Sequence, residues 1–256
     1  MNKRMILYIQ GAILLIESAI MVLPIAAALI YRETSGVWFF YTALAAAICG
    51  FAAMKLSKPR TKTIYAKEGL ITVALGWIVL SLVGALPFTL SGEIPCYLDA
   101  VFEMISGFTT TGSSILPNVE ALSRCMLLWR SFSHWLGGMG ILVFMLAIVK
   151  MEGGQGIHLL RAESPGPTVG KMVPRMVDSS KILYTIYFAL TLVQVVFYLA
   201  GGMPLFDSLC NAFATAGTGG FSIKADSFAS YSMYAQTVTT VFMALFGVNF
   251  SIYFFL

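Results

Sequence analysis

Gly107-Phe108-Thr109-Thr110-Thr111-Gly112-Ser113-Ser114 is the stretch whose reading decides the fold. Three threonines, a glycine and two serines stand between apolar segments. Glycine permits backbone conformations with φ > 0, and Thr and Ser supply hydroxyl oxygens. A short extended segment of this composition can aim carbonyl oxygens at an axis and replace the hydration shell of a metal cation. The plainer reading is a Thr/Gly-rich loop between two helices, and the surrounding sequence has to discriminate.

The chain has 256 residues, of which 58% are hydrophobic and 11% charged, with a mean hydropathy of +0.84. Soluble domains carry about 25% charged residues, so this is a polytopic membrane protein. The net charge of +4 is small and suggests no nucleic-acid partner. Cys49, Cys96, Cys125 and Cys210 are scattered, with no metal-ligand spacing and no disulfide framework. There is no nucleophile–base pair or phosphate-binding loop, so an enzyme is not expected.

Apolar runs give the organisation. Residues 5–31 and 37–54 read as an N-terminal helix pair (domain 1–56). The first run is too long for a signal peptide and is expected to be retained. A basic loop follows at 57–68. The first repeat, 69–150, holds a span at 70–90, a run at 98–108 too short to cross about 30 Å of hydrocarbon as a helix, the Thr/Gly segment, and a return at 125–149. A polar connection occupies 151–180. The second repeat, 181–256, has a span at 182–200, a short apolar run at 204–214, a second Gly/Thr segment, and a last run from 231. Twelve of the sixteen Lys/Arg (Lys3, Arg4, Lys55, Lys58, Arg60, Lys62, Lys67, Lys150, Arg161, Lys171, Arg175 and Lys181) fall on one side of this threading. That side is cytoplasmic by the positive-inside rule, the N-terminus with it. The opposite face is net acidic.

The repeat decides between the readings. Leu-Asp-Ala-Val-Phe-Glu-Met-Ile-Ser-Gly-Phe-Thr-Thr-Thr-Gly-Ser-Ser-Ile, residues 98–115, matches Phe-Asp-Ser-Leu-Cys-Asn-Ala-Phe-Ala-Thr-Ala-Gly-Thr-Gly-Gly-Phe-Ser-Ile, residues 206–223. Aligned without gaps, Gly112 falls on Gly220; a one-residue gap pairs Thr111-Gly112 with Thr218-Gly219 and is the preferred register. Each unit begins from the cytoplasm, so the two are parallel about an axis along the membrane normal. Short helices entering from outside direct their negative C-terminal dipole ends toward mid-membrane, which favours a cation. Irregular backbone at that depth is tolerated only where it is buried in protein or lines water. The expected fold is therefore an all-α polytopic membrane protein: two N-terminal helices, then two parallel repeats of span, pore half-helix, filter strand and span, half of a four-repeat pore. Asp99 and Asp207 fall near the half-helix starts, in capping positions.

The strings Phe-Thr-Thr-Thr-Gly (108–112), Trp-Leu-Gly-Gly-Met-Gly-Ile (135–141), Arg-Ala-Glu-Ser-Pro-Gly-Pro (161–167) and Gly-Gly-Phe-Ser (219–222), in this order, resemble the Trk/Ktr/HKT superfamily of potassium transporters, the Trk membrane subunit most closely. The resemblance covers essentially the whole chain. It implies four repeats around one ion path, preceded by an extra helix pair, in a multi-pass protein of the bacterial inner membrane. It places filter glycines at Gly112 and Gly219, with glycine rather than serine at the first position implying K⁺. It further implies K⁺ as the transported ion, no cofactor on this chain, a nucleotide-binding cytoplasmic regulatory subunit, and a homodimer of full-length chains in lipid. Only two of four repeats are present, so the chain is expected to be the N-terminal half of a longer protein, or a truncated product, and not to conduct alone. Ion-coupled secondary transport and a non-conducting fragment are the alternatives.

The filter candidates are Thr109, Thr110, Thr111, Gly112 and Ser113 in the first segment, and Ala216, Gly217, Thr218, Gly219 and Gly220 in the second. Thr110, Thr111, Gly112, Thr218 and Gly219 are the candidate K⁺ contacts. Gly137, Gly138 and Gly140 read as close-packing positions or a gating hinge, and Asn249 as a pore-facing or interhelical hydrogen-bonding group. His134 reads as a structural histidine or a pH-responsive one, and Glu17 as a neutral or helix-facing carboxyl. Arg124 and Arg130 are expected to snorkel or to pair with Glu103 or Glu120. Arg161 and Glu163 mark a contact for the regulatory subunit, or else a solvated linker.

Overall fold

The computed structural model describes residues 2–59, 66–140 and 176–248. Among these the chain is built from helices: α1 (Lys3–Ile20), α2 (Val22–Tyr31), α3 (Gly36–Leu56), α4 (Ala66–Leu90), α5 (Tyr97–Phe108), α6 (Arg124–Met139), α7 (Met176–Ala200), α8 (Leu205–Ala216) and α9 (Met233–Gly247), with a single 3-10 turn at Val119–Ala121. Four of the described helical segments are long and apolar enough to cross a membrane: Lys3–Tyr31, Gly36–Leu56, Lys67–Leu90 and Ile182–Ala200. The first is interrupted at Met21, three residues before Pro24, whose ring nitrogen cannot donate to the preceding turn.

Polarity is distributed as a bilayer demands. Large apolar side chains such as Leu29, Ile30, Phe51, Leu56 and Val196 point outward, while Gln10, Glu17, Glu103, Arg130, His134, Gln194 and Asn211 are buried. Lipid tails offer no hydrophobic drive between helices, so contacts rely on small residues and interhelical hydrogen bonds. Helix α1 crosses α3 where Gly11 meets Gly50, each lying so close to the other's carbonyl that a Cβ would sit 2.7 Å from it. Ser18 Oγ donates to the Ala43 carbonyl (2.7 Å), Gln10 Nε2 to the Thr72 carbonyl of α4 (2.9 Å), and Trp129 Nε1 of α6 to the Gly84 carbonyl of α4 (3.0 Å). The N-terminal pair is thereby tied to the first repeat rather than standing apart.

The outer ends of the helices are fixed by two glutamates. Glu33, after α2, accepts from the N–H groups of Arg124 (2.8 Å) and Cys125 (2.9 Å) at the start of α6. Glu93, after α4, accepts from the N–H and Oγ of Ser123 (both 2.7 Å). Both carboxylates answer the unpaired N–H groups and positive dipole end of α6.

The expectation of filter strands is corrected: no β-strand occurs among the described residues. The Thr/Gly segments are irregular backbone. Thr110 and Gly112 in the first, and Thr218 and Gly220 in the second, have positive φ (55°, 76°, 58° and 65°). Left-handed residues at alternate positions cannot continue a strand, and the first N–H groups of the first segment turn back onto the helix before it. The architecture the structure supports is an all-α polytopic membrane protein with four candidate spans among the described residues.

Candidate functional site: two loops at the ends of two short helices

Helices α5 and α8 each contain twelve residues, about 18 Å at 1.5 Å per residue. Neither is long enough to cross a bilayer. Asp99 and Asp207 lie in their first turns, but the N-cap positions are Cys96 and Pro204, and neither cap makes a side-chain hydrogen bond. The aspartates act through the dipole; Asp207 also accepts from Tyr231 Oη (3.0 Å).

At the end of α5 the Thr110 N–H donates to the Gly107 carbonyl (3.0 Å) and the Thr111 N–H to the Ser106 carbonyl (3.0 Å). With Thr110 left-handed this is a Schellman motif, carried by a β-branched residue where glycine is usual. The second copy shares one of these two bonds: the Thr218 N–H donates to the Thr215 carbonyl (2.8 Å), and Thr218 is likewise left-handed. The backbone therefore equates Thr110 with Thr218 and Gly112 with Gly220, a constant offset that also relates the two helices. The gapped register, with Gly219 opposite Gly112, is replaced by the gap-free one. Sequence favoured the gap because it preserves the Thr-Gly pair, whereas the conformation repeats by position after the helix end.

The loops touch. A Cβ at Gly112 would lie 2.3 Å from the Gly219 carbonyl oxygen, and one at Gly219 2.9 Å from the Thr110 carbonyl oxygen. Thr109, Thr111, Ser113 and Thr218 are exposed, Gly112, Gly219 and Gly220 half-buried, and Ala216 and Gly217 buried. Helix α6 backs both loops. Its Gly137 leaves room for the Phe108 carbonyl and the Thr110 methyl, its Gly138 for Tyr187 and the Ala216 carbonyl. Those two glycines are close-packing positions. Gly140 ends the helix at φ 76°. The buried His134 ring stacks on Phe221 (centroids 5.2 Å apart) and lies against Gly217 and Gly219.

Beneath the loops runs a polar chain that sequence reading caught only in part. Glu103, fully buried, accepts from Ser114 Oγ and the Ile115 N–H (both 2.6 Å). Its other oxygen takes the Arg130 Nε at 3.0 Å, the Arg130 partner foreseen as one of two. Arg130 Nη1 then donates to the Ser222 carbonyl of the second loop (2.7 Å). In that loop Ser222 Oγ donates to Asn211 Oδ1 (3.1 Å), so Asn211 stands where Glu103 stands in the first. The gap-free alignment pairs Glu103 with Asn211 and Ser114 with Ser222, which was the available signal. Arg124, by contrast, lays its guanidinium over Tyr31, 4.2 Å from the ring centroid. Glu17 is fully buried, and neither carboxyl oxygen has a hydrogen-bond partner among the described residues. Asn249, Arg161 and Glu163 lie outside the described residues.

Two short helices of equal length thus end in opposed loops with left-handed residues at the same positions. Residues 37–256 match the family model described as TrkH, cation transport protein. The chain belongs to the TrkH family. It is 35% identical over 257 residues to the Trk system potassium uptake protein TrkH of Vibrio parahaemolyticus, covering 99% of this chain and 53% of that protein. It is 36% identical to the protein of the same name from Escherichia coli K12, with the same coverage. An uncharacterized cation transporter of Methanocaldococcus jannaschii is 32% identical over 97% of this chain and 51% of its own length. The crystal structure of the Vibrio parahaemolyticus potassium transporter TrkH superposes with a TM-score of 0.84 at 32% identity, over 99% of this chain and 52% of that one. The chain thus spans about half the length of the curated relatives it matches. As a TrkH-family member it is a multi-pass inner-membrane protein and not an enzyme.

Proposed function

We propose that this chain contributes two segments of a K⁺-selective filter in a TrkH-type uptake protein. Residues 109–113 and 216–220 are those segments, and Thr110, Thr111 and Gly112 with Thr218 and Gly219 are the positions whose carbonyls meet the ion. The observation that carries this reading is the repeated loop geometry: two helix C-termini, each followed by left-handed Thr and Gly at the same two positions, opposed at Gly112 and Gly219. The C-terminal ends of the two short helices add partial negative charge beside both loops, which favours a cation there. The Gly220 carbonyl accepts instead from the Ser222 N–H (2.8 Å) and Ser227 Oγ (3.3 Å), which fixes the end of the second segment.

In this reading K⁺ is the cargo, further repeats complete the ring, and chains pair as homodimers in lipid. A cytoplasmic nucleotide-binding subunit regulates the pore through the connection containing Arg161 and Glu163. Alanine at both positions should weaken subunit binding, measured by co-purification. For the filter, Gly112→Ser in the complete transporter is the test. Its Cβ must displace the Gly219 carbonyl, so K⁺ over Na⁺ discrimination in uptake assays should fall. Unchanged uptake of both ions would remove Gly112 from the ion path.

A further inference from the structure

The polar chain beneath the loops crosses from one repeat to the other. It runs from Ser114 and Ile115 through Glu103 and Arg130 to the Ser222 carbonyl, every link between 2.6 and 3.0 Å. Ser114 and Ser222 are each two residues beyond a glycine with positive φ, so the chain grips both loops at the same distance from Gly112 and Gly220. Arg130 and Glu103 side chains are 3% and 0% exposed. The guanidinium also lies 3.3 Å from the centroid of Phe221, the residue between Gly220 and Ser222.

Resting on the filter reading above, we propose that Arg130 is a positioning residue for selectivity: its guanidinium sets the spacing of the two loops, and with it the size and field of the ion site they share. The chemistry of the side chain fits this role. A planar fork holds Nε on a carboxylate and Nη1 on a carbonyl in fixed directions while its face rests on an aromatic ring. An ammonium is a point charge on a flexible stem and cannot hold all three contacts at once. The pair is also internally neutralised, since Glu103 balances Arg130. The residue therefore needs no contact with the ion to act on it.

A residue that merely stabilised the fold would alter expression and unfolding temperature, but not the ratio of K⁺ to Na⁺ uptake among molecules that fold. The test is therefore Arg130→Lys in the complete transporter, reconstituted in lipid vesicles, with K⁺ and Na⁺ uptake measured on the same preparation. Lysine keeps the charge opposite Glu103 and releases the Ser222 carbonyl. Losing one hydrogen bond from a charged donor should lower the K⁺:Na⁺ ratio about tenfold, with K⁺ uptake still measurable. The reversed pair Glu103→Arg/Arg130→Glu is the second variant. It restores the ion pair but sets a carboxylate against the Ser222 carbonyl, so it should fold better than either single reversal and still discriminate poorly. Parental selectivity in either folded variant would overturn the proposal. Because K⁺ uptake would then persist, that outcome leaves the filter reading standing; the filter reading fails separately, on Gly112→Ser.

Discussion

The two loops have one backbone and two different foundations. Both leave a twelve-residue helix through a left-handed threonine, reach a left-handed glycine, and are held two residues later at a serine. Beneath the first the anchor is a carboxylate, Glu103, braced by Arg130; beneath the second it is the neutral Asn211. A buried amide completes its hydrogen bonds without a counter-charge. A buried carboxylate is costly unless paired, so Glu103 makes Arg130 obligatory. The first repeat thus carries an ion pair at the position where the second has the neutral Asn211, and the free arm of that pair is what reaches across. The shared geometry follows from the duplication, while the difference joins the halves.

Five substitutions, one of them with a second-site rescue, would break or sharpen this comparison in the complete transporter. The largest effect is expected for Gly112→Ala against Gly220→Ala. Both force a side chain onto a left-handed backbone, at about 1–2 kcal/mol. Only Gly112 also has a carbonyl 2.3 Å from the new Cβ, whereas no atom lies within 4 Å at Gly220 among the described residues. K⁺ uptake should fall far more with the first than with the second, which is expected to reduce it about tenfold. Equal effects would mean that the loops do not meet as described.

Next, Arg130→Met strands the Glu103 carboxylate and should cost about 3–5 kcal/mol, read as a lowered unfolding temperature in detergent. Restoration by adding Glu103→Gln would confirm that the stranded charge is the cause. A smaller loss, about 1–3 kcal/mol, is expected for Asn211→Ala, which leaves Ser222 Oγ to its weaker contact with the Ser227 carbonyl (3.2 Å). If Asn211→Ala proved as damaging as Arg130→Met, the charged and neutral anchors would be equivalent and the comparison would fail. Least of all, Thr218→Gly exchanges the strain of a left-handed β-branched residue for the entropy of glycine. The two nearly cancel, leaving a change under about 1 kcal/mol in unfolding free energy.

Much of this was legible in the sequence because it rests on periodicity and length. Apolar runs of spanning length at 5–31, 37–54, 70–90 and 182–200, and two runs too short to span, are one-dimensional facts. The repeat was visible in Asp99 and Asp207 and in the Thr/Gly clusters. Conformation within the loops was not. Composition allowed an extended strand and a left-handed loop equally, since Gly and Thr serve both; the choice is made where the Thr110 and Thr111 N–H groups fold back onto α5. The register was misjudged for the same reason, because the identity of a Thr-Gly pair outweighed position after the helix end. Arg130 was readable as a partner for Glu103, but its second contact is a backbone carbonyl 92 residues away, which no side-chain pattern announces. Likewise Glu33 reads as a surface acid after a span, and only its place over the N-terminus of α6 makes it a cap.

The most direct measurement is anomalous diffraction from crystals of the complete transporter soaked in Tl⁺, a heavy mimic of K⁺. A peak coordinated by carbonyls of Thr110–Gly112 from the first loop and of Thr218 and Gly219 from the second is the predicted result. Ordered Tl⁺ along the ion path with none at these carbonyls would contradict the assignment of both loops.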